Sequence, residues 1–406
     1  MLKNKIAYKK ALKIAAAYGV MLSFAISAAG CGKPKVVEDY PVSAVGEGET
    51  VTVADDTPEE QALGALEFDK ELYSKENGDS LRETGVFVYD PTRIPASYID
   101  PSNYNPDKLA FARMLLQSVH DGRKEFYVPE EMKLGQLELE GFLASVSMIN
   151  PLTQSVGVEK IEDNHYAIMY FPETIGYTES TQLVDDEYVA AQKQMFIDYV
   201  EETINTTVSK DDSDIEIAEK IYRKLIEDFE VIPIMDYYME METGEDKFGL
   251  KNESGVEDHF ISTLEMYNQK KVFDMRFSNL YYFFLDQLHI ECYNVGSTGK
   301  YIEQDNAALN EAMQNTNSEG WVIIKADDKA YNCDIILDYY IYHDAKENDP
   351  NCEPNLKYFG MSDATREEVW HSTGGIYLNA WDSVREIPKC EEDLKKKKED
   401  GNEETD

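Results

Sequence analysis

The sequence is poor in cysteine, histidine and positive charge. Its 406 residues include 5 cysteines and 6 histidines, and no two cysteines have the Cys-x-x-Cys spacing. Because structural zinc sites take four Cys or His ligands at short spacings, this scarcity argues against a zinc site. The 39 Lys and Arg residues face 79 Asp and Glu residues, which leaves a net charge of −40. Such a surface repels phosphates, so nucleic acid is excluded as a partner.

The N-terminal apolar stretch, residues 14–29, is shorter than the ~20 residues that cross a bilayer. It follows a lysine-rich start and ends Ser27-Ala28-Ala29-Gly30-Cys31. Small residues directly before a Cys resemble the bacterial lipoprotein signal. That resemblance implies removal of residues 1–30, a lipid on Cys31, and anchoring to the outer face of a bacterial membrane. An ordinary signal peptide and a membrane span are the alternatives, and the length of the run disfavours the span.

The remaining chain is longer than the ~100–200 residues of one domain, so two folded domains are expected. Residues 31–80 carry scattered Pro and Gly in acidic sequence without a sustained apolar period, which is typical of a flexible tether. Residues 81–208 mix helical and strand patterns and contain no catalytic motif. Residues 209–390 form the second predicted domain. Residues 391–406 hold a run of lysines followed by acidic sequence and are expected to be a disordered tail.

The most informative stretch is residues 262–338. Its apolar residues recur at three- and four-residue steps and predict one buried helix containing Phe273, Phe277, Leu280, Phe284 and Leu288. Residues 290–295, 321–325 and 331–337 follow as strands rich in β-branched and aromatic residues. A helix followed by consecutive strands predicts the α+β class.

This order resembles the core of the transglutaminase-like family, which has a papain-like fold. The family carries a nucleophilic Cys at the start of the buried helix, His-Ala-Trp on one strand and Trp-Tyr-x-x-Asp on the next. In this sequence Asp274 falls at the Cys position and Glu319 at the His position, two residues before Trp321. Asp334, three residues after Tyr331, keeps the Asp position. The scaffold is matched, and the nucleophile and base are not.

The resemblance covers residues 215–363 and implies a papain-like transglutaminase core, a buried helix packed on an antiparallel sheet, preceded by a smaller α+β domain. A carboxylate at the Cys position is a poor nucleophile towards an amide, and a Glu does not shuttle protons near neutrality at its ordinary pKa of about 4.3. We therefore expect a membrane-anchored pseudoenzyme that binds a protein or a cell-wall peptide outside the cell. The alternatives are an active amide or carboxylate-based hydrolase of the same fold and a solute-binding lipoprotein.

If the alignment holds, the carboxylates of Asp274, Glu319 and Asp334 converge, with Asp338 nearby and Trp321 and Tyr331 lining the cleft. Carboxylates this close need a compensating cation, a shared proton or a water-filled gap. They could bind Ca²⁺ through oxygen ligands or act as an acid–base pair in glycoside hydrolysis. The competing interpretation is that the side chains diverge, face solvent or pair with Arg276 or Lys325. No other cofactor is expected, and the metal is left open.

With Cys31 assigned to lipid, four cysteines remain. An even number in an exported protein permits two disulfides with three connectivities. The placement of these residues favours pairing Cys292 with Cys333, on strands of one sheet, and Cys352 with Cys390, in loops near the end.

Overall fold

The computed structural model describes residues 66, 68–95, 106–147, 150–153, 156–170, 186–243, 247–250, 262–314, 316, 318–378 and 386–394. The predicted signal peptide, its lipidation site Cys31, the tether before residue 66 and the tail after residue 394 lie outside these residues. The described residues all belong to one unit by their contacts. In the part of the chain described, no helix is both long and apolar enough to cross a membrane.

Helices and strands alternate irregularly along the chain. The helices are α1 (Lys70–Tyr73), α2 (Ser80–Thr84), α3 (Pro106–His120), α4 (Gln136–Ser147), α5 (Asp186–Thr207), α6 (Asp214–Asp228), α7 (Ile234–Thr243), α8 (Thr263–Asn268), α9 (Phe277–Gln287), α10 (Ala307–Met313), α11 (Ile335–Asn348) and α12 (Asp363–Glu367). The strands are β1 (Glu125–Tyr127), β2 (Val156–Glu162), β3 (His165–Tyr170), β4 (Glu230–Ile232), β5 (Lys271–Phe273), β6 (Cys292–Tyr301), β7 (Ser318–Ala326), β8 (Lys329–Cys333), β9 (Phe359–Met361) and β10 (Trp370–Leu378).

The largest sheet has five strands in the order β10-β6-β7-β8-β9, and all its neighbours are antiparallel. Helix α9 packs on β6 and β7 of this sheet, and its apolar residues, which include Phe277, Leu280 and Phe284, are buried. A helix on an antiparallel sheet buries the apolar side of each, which is why these sequence periods fold together. The predicted α+β class is confirmed.

Two local predictions were wrong. Phe273 is not in the buried helix, because residues 271–273 extend as β5 and pair in parallel with β4. A short 3₁₀ turn, Asp274–Arg276, then leads into α9. Residues 335–337 are not strand, because α11 begins at Ile335, directly after β8 ends at Cys333. This second correction places Asp338 on the first turn of a helix.

The N-terminal elements form a three-stranded antiparallel sheet, β1-β3-β2, covered by α3 and α4. Leu66, Phe68 and Tyr73, which the sequence assigns to the tether, pack against the apolar cluster of this sheet instead. At the other end, Leu394 of the predicted tail packs on the main core and its N–H donates to the Gly360 carbonyl at 2.7 Å.

The predicted domain boundary at residues 208 and 209 falls between α5 and α6. The largest apolar cluster crosses it, since Leu81, Phe87 and Phe196 share one buried core with Phe283 of α9. The segment around residue 90 also bonds directly to the end of α9, where the Asp90 N–H donates to Gln287 Oε1 at 3.1 Å. The two predicted domains therefore share a hydrophobic core.

Candidate functional site

The two strand positions singled out by the sequence lie next to each other in the large sheet. Glu319 is on β7, opposite Ser297 of β6. Asp334 directly follows β8, which pairs with β7 in a register that sets Cys333 opposite Val322. Because β7 and β8 are adjacent antiparallel strands, the residue that ends one lies near the residue that begins the other. The sheet thereby brings these two carboxylates to the same place.

Arg366, on α12, lies between the two carboxylates. Its Nη2 atom is 2.5 Å from Glu319 Oε2 and 3.1 Å from Asp334 Oδ2. The side chains of Arg366, Glu319 and Asp334 are 5%, 4% and 0% exposed. The guanidinium also lies over the indole of Trp321, 4.3 Å from the ring centre. This buried group, the Glu319–Arg366–Asp334 cluster, supplies internally the cation that close carboxylates require.

One cation does not neutralise two carboxylates. Burial, and next the neighbouring Glu319 carboxylate, raises the pKa of Asp334 well above its ordinary range, although Arg366 opposes them. Burial by itself lowers the pKa of Arg366, but Glu319 and Asp334 outweigh it and the pKa of Arg366 is raised. The cluster therefore combines a permanently charged guanidinium with a carboxyl group that gives up its proton less readily than a free carboxyl group does.

The predicted cleft residues are buried. Asp338 accepts hydrogen bonds from the Tyr222 hydroxyl at 2.8 Å and from the Tyr358 N–H at 2.9 Å. Trp321 donates its indole N–H to Asn332 Oδ1 at 2.7 Å. Tyr331 belongs to the main apolar core. These side chains pack inside the molecule and do not line an open cleft.

Asp274 lies in a different setting. It is in the 3₁₀ turn before α9, and its Oδ1 atom accepts a hydrogen bond from the Ile234 N–H at the start of α7, at 3.4 Å. Burial, and next the Asp274 carboxylate, raises the pKa of Tyr340. The structure brings Glu319 and Asp334 together through Arg366 and places Asp274 against α7. Lys325, proposed as a partner for these carboxylates, pairs with Glu291 at 3.0 Å.

Arg366 was missed by the sequence reasoning. Close carboxylates need a compensating cation, and the sequence offers Arg276 and Lys325 for that role. A local signal exists, because Ser362 caps a short helix by accepting a hydrogen bond from the Thr365 N–H. That helix carries Arg366 directly after β9, at the edge of the same sheet. A five-residue helix is too short for its periodicity to show which side is buried. Tertiary packing therefore sets the direction of the Arg366 side chain.

No group of three or more His, Cys, Asp or Glu side chains is placed to hold a metal ion within the described ranges. The Glu319–Arg366–Asp334 cluster contributes two carboxylates, with an arginine between them. Its donor set does not fit Ca²⁺, which takes six to eight oxygen ligands.

The predicted disulfides are not formed: Cys292, Cys333, Cys352 and Cys390 are free thiols. Cys292 and Cys333 sit on β6 and β8, which flank β7. Strands two places apart are separated by about 10 Å, beyond the ~7 Å between Cα atoms that a disulfide spans. Cys390 packs in the cluster around Trp321, whereas Cys352 contacts the main core.

The thiols on these strands are poor nucleophiles. Burial raises the pKa of Cys292 and that of Cys333 well above the ordinary thiol range. Because the thiolate is the attacking species, both residues are inert at neutral pH.

A second buried ion cluster lies at the far end of α9. Arg93 Nε is 3.1 Å from Asp286 Oδ1, and Arg93 Nη1 is 3.1 Å from His289 Nδ1. Burial raises the pKa of Asp286 to about 6, with Arg93 opposing the shift. Burial, and next Arg93, lowers the pKa of His289. This cluster joins the N-terminal segment to the helix that underlies the large sheet.

Comparison with known proteins identifies no family for this chain. No family model matches it, and no curated protein matches it. Among solved structures, a protein of Parabacteroides distasonis provisionally named a protease is similar over 44% of this chain, at 10% identity and a TM-score of 0.21. The match spans 35% of that protein. A likeness at this level identifies neither fold family nor function.

Proposed function

We propose that the large sheet and α9 form a papain-like, transglutaminase-like core. The order of elements supports this, because α9 is followed by β6, β7 and β8 as consecutive antiparallel neighbours. The meeting of Glu319 and Asp334 supports it further, since these residues stand at the His and Asp positions implied by the sequence resemblance. In a catalytic member the corresponding side chains hydrogen-bond to each other.

In this core the Glu319–Arg366–Asp334 cluster replaces the catalytic machinery. Arg366 occupies the place between the two positions, and the observation that carries the proposal is its double contact at 2.5 and 3.1 Å inside the protein. An arginine is not deprotonated at physiological pH, so it cannot serve as a general base. Both carboxylates are engaged with it and closed to substrate. The cluster functions as a structural clamp between β7, β8 and α12.

The thiols support the same conclusion. Catalysis of this class needs a thiolate at the start of the buried helix. That position holds Asp274, and the free thiols of Cys292 and Cys333 lie within strands, where burial raises the pKa of each. We therefore propose a pseudoenzyme.

For the physiological role, we propose a lipoprotein anchored through Cys31 outside a bacterial membrane, where it binds a protein or a cell-wall peptide. The N-terminal pattern that ends in Cys31 supports the anchor. The net charge of −40 favours a cationic or neutral partner over an anionic one.

A carboxylate-based hydrolase is the second candidate, and one observation favours it. The raised pKa of Asp334 beside a second carboxylate is the property of an acid pair that shares a proton. The complete burial of Asp334 and its contact with Arg366 oppose this reading, because a reacting bond has to come within hydrogen-bond reach of the acid.

The test uses the full chain. It is incubated with purified peptidoglycan and with glutamine-containing peptides, and cleavage and ammonia release are followed by mass spectrometry. We expect no turnover, together with co-sedimentation of the protein with the insoluble wall. Turnover that disappears in D274A, or in E319Q combined with D334N, would establish an enzyme instead.

A further inference from the structure

The two edges of the large sheet are treated differently by the chain. Beside β9, the segment 386–394 covers the edge, since the Leu394 N–H donates to the Gly360 carbonyl and the Asp363 N–H donates to the Cys390 carbonyl. The opposite edge is β10, which pairs only with β6 among the described residues. One edge is therefore capped and the other presents a nine-residue strand.

Strand β10 extends beyond the core. Its residues 373–377 are all exposed, including two large side chains, Ile376 at 41% and Tyr377 at 36%. A strand at the margin of a sheet normally buries alternate residues. Successive exposure shows that both faces of this strand reach solvent.

The sequence of β10 lacks charge and proline, two of the usual protections of an edge strand. Natural edge strands carry charged residues such as Lys, a Pro, or a bulge that hinders pairing with a further strand. Trp370–Leu378 contains no Asp, Glu, Lys, Arg or Pro, in a chain where 29% of residues are charged. A bulge between Ser372 and Ile376, with Gly375 at a φ of 77°, is its only irregularity. On either side of that bulge the ladder to β6 is regular.

The direction of the free backbone groups follows from the register. The Ile302 N–H donates to the Val369 carbonyl at 2.8 Å, which makes this facing pair a hydrogen-bonded one. Hydrogen-bonded and non-hydrogen-bonded pairs alternate along an antiparallel ladder. The backbone N–H and C=O of His371 therefore point to β6. Those of Ser372 point away from β6, to the outer edge of the sheet.

We propose that β10 is a docking edge for an extended segment of a positively charged polypeptide, which adds to the large sheet as a sixth strand. Strand addition supplies affinity through main-chain hydrogen bonds, and the exposed Ile376 and Tyr377 supply side-chain contacts. The net charge of −40 attracts a cationic segment and repels a second copy of this chain. This inference rests on the proposed role as a binding module and gives that role a location.

The experiment titrates the full chain with a fluorescein-labelled ten-residue peptide of alternating lysine and valine, and follows anisotropy. Two matched protein variants are compared, S372P and S372A. Both remove the contact between the Ser372 and Ser297 hydroxyl groups, but only S372P also removes the outward N–H. We expect S372P to weaken binding about tenfold, from the lost hydrogen bond and the altered strand geometry, and S372A to change it less than about twofold.

A second peptide with N-methyl groups on alternate residues has the same charge but fewer backbone donors. We expect it to bind about tenfold more weakly than the unmodified peptide. Equal binding of the two peptides, or equal binding to wild type and S372P, would show attraction by charge alone and overturn the proposal. Absence of binding by the unmodified peptide would overturn it as well.

Hydrogen exchange of residues 370–378 identifies any other occupant. We expect the Ser372 amide to exchange rapidly in the free protein and to be protected by saturating peptide. If the Ser372 amide is protected in the free protein and the protection grows with protein concentration, a second copy of the chain occupies the edge. If that protection does not depend on concentration, another segment of the same chain occupies it. Either result overturns the proposal. Turnover in the wall-cleavage assay would refute the pseudoenzyme and leave the docking edge standing, so the two failures are distinguishable.

Discussion

Replacing Arg366 with methionine tests whether the Glu319–Arg366–Asp334 cluster holds the sheet to α12. The substitution keeps much of the side-chain volume but removes the cation that pairs with both buried carboxyls. Removing one partner of a buried ion pair costs about 3–5 kcal/mol, because the remaining charge is left uncompensated. Here the raised pKa of Asp334 lowers the cost of neutralising that carboxyl, so we take the lower end and expect a loss of about 3 kcal/mol in the free energy of unfolding at pH 7.

The loss is expected to depend on pH, and the sign follows from Asp334. Its folded pKa is already raised, and without Arg366 nothing opposes burial, so that pKa rises further. A carboxyl group with a raised folded pKa takes up a proton on folding, and the folded state then loses stability as pH rises. The deficit of R366M relative to wild type should therefore be smaller at pH 5 than at pH 8.

Urea denaturation of the full chain at both pH values measures the deficit. The control combines R366M with E319Q and D334N, which replaces all three charges by neutral groups of similar shape and should recover much of the lost stability. A deficit below about 1 kcal/mol, or one that is equal at pH 5 and pH 8, would mean that the cluster neither carries a buried charge nor braces the fold.

Three further predictions concern other buried groups. The pKa of Asp286 is raised to about 6 from an ordinary 3.8, so ionisation of this carboxyl group lowers the stability of the folded state by about 3 kcal/mol as pH rises from about 4 to about 6. In D286N the free energy of unfolding measured with urea should no longer fall over this pH range. The same fall in D286N as in wild type would contradict the prediction. Among the four described cysteines, iodoacetamide should alkylate Cys352 first in the native chain, since the thiols of Cys292, Cys333 and Cys390 are buried; peptide mapping that finds Cys333 labelled as fast as Cys352 would refute the placement. In G299A the new methyl group would lie too close to the His371 carbonyl oxygen and the Trp370 indole nitrogen. We expect this overpacking between β6 and β10 to lower the free energy of unfolding by about 1–3 kcal/mol. A thermal unfolding midpoint equal to that of wild type would contradict this prediction.

The sequence predicts the central part of the fold because its signals are local and repeated. The period of Phe277, Leu280 and Phe284 is that of a helix with one buried side, and the strands after it are dense in β-branched residues. Errors occur where tertiary pairing decides. Phe273 continues the apolar period of the helix, yet the parallel pairing of β4 with β5 draws it into a strand.

For the site, the family resemblance predicted that Asp274, Glu319 and Asp334 would converge. Glu319 and Asp334 meet because β7 and β8 are adjacent strands, whereas Asp274 lies against the start of α7. The sequence did not predict Arg366, which comes from a separate helix whose orientation depends on packing over Trp321. It predicted disulfides from cysteine number, but number carries no information about strand order, and β7 lies between Cys292 and Cys333. The membrane anchor at Cys31 stays a prediction.

The shared core across residues 208 and 209 has a consequence for how this chain can vary. The rings of Tyr89 and Phe196 lie 6.3 and 5.6 Å from the ring of Phe283, so a change of side-chain size in either segment has to be matched in the other. The Arg93–Asp286 pair adds a charge constraint at the same junction. Recombination with a related chain at residue 208 would therefore join two segments whose core side chains do not match in size. A fragment beginning at residue 209 would expose the apolar surface that the N-terminal segment covers, which favours aggregation. Substitutions in the N-terminal segment and in α9 are expected to be inherited together.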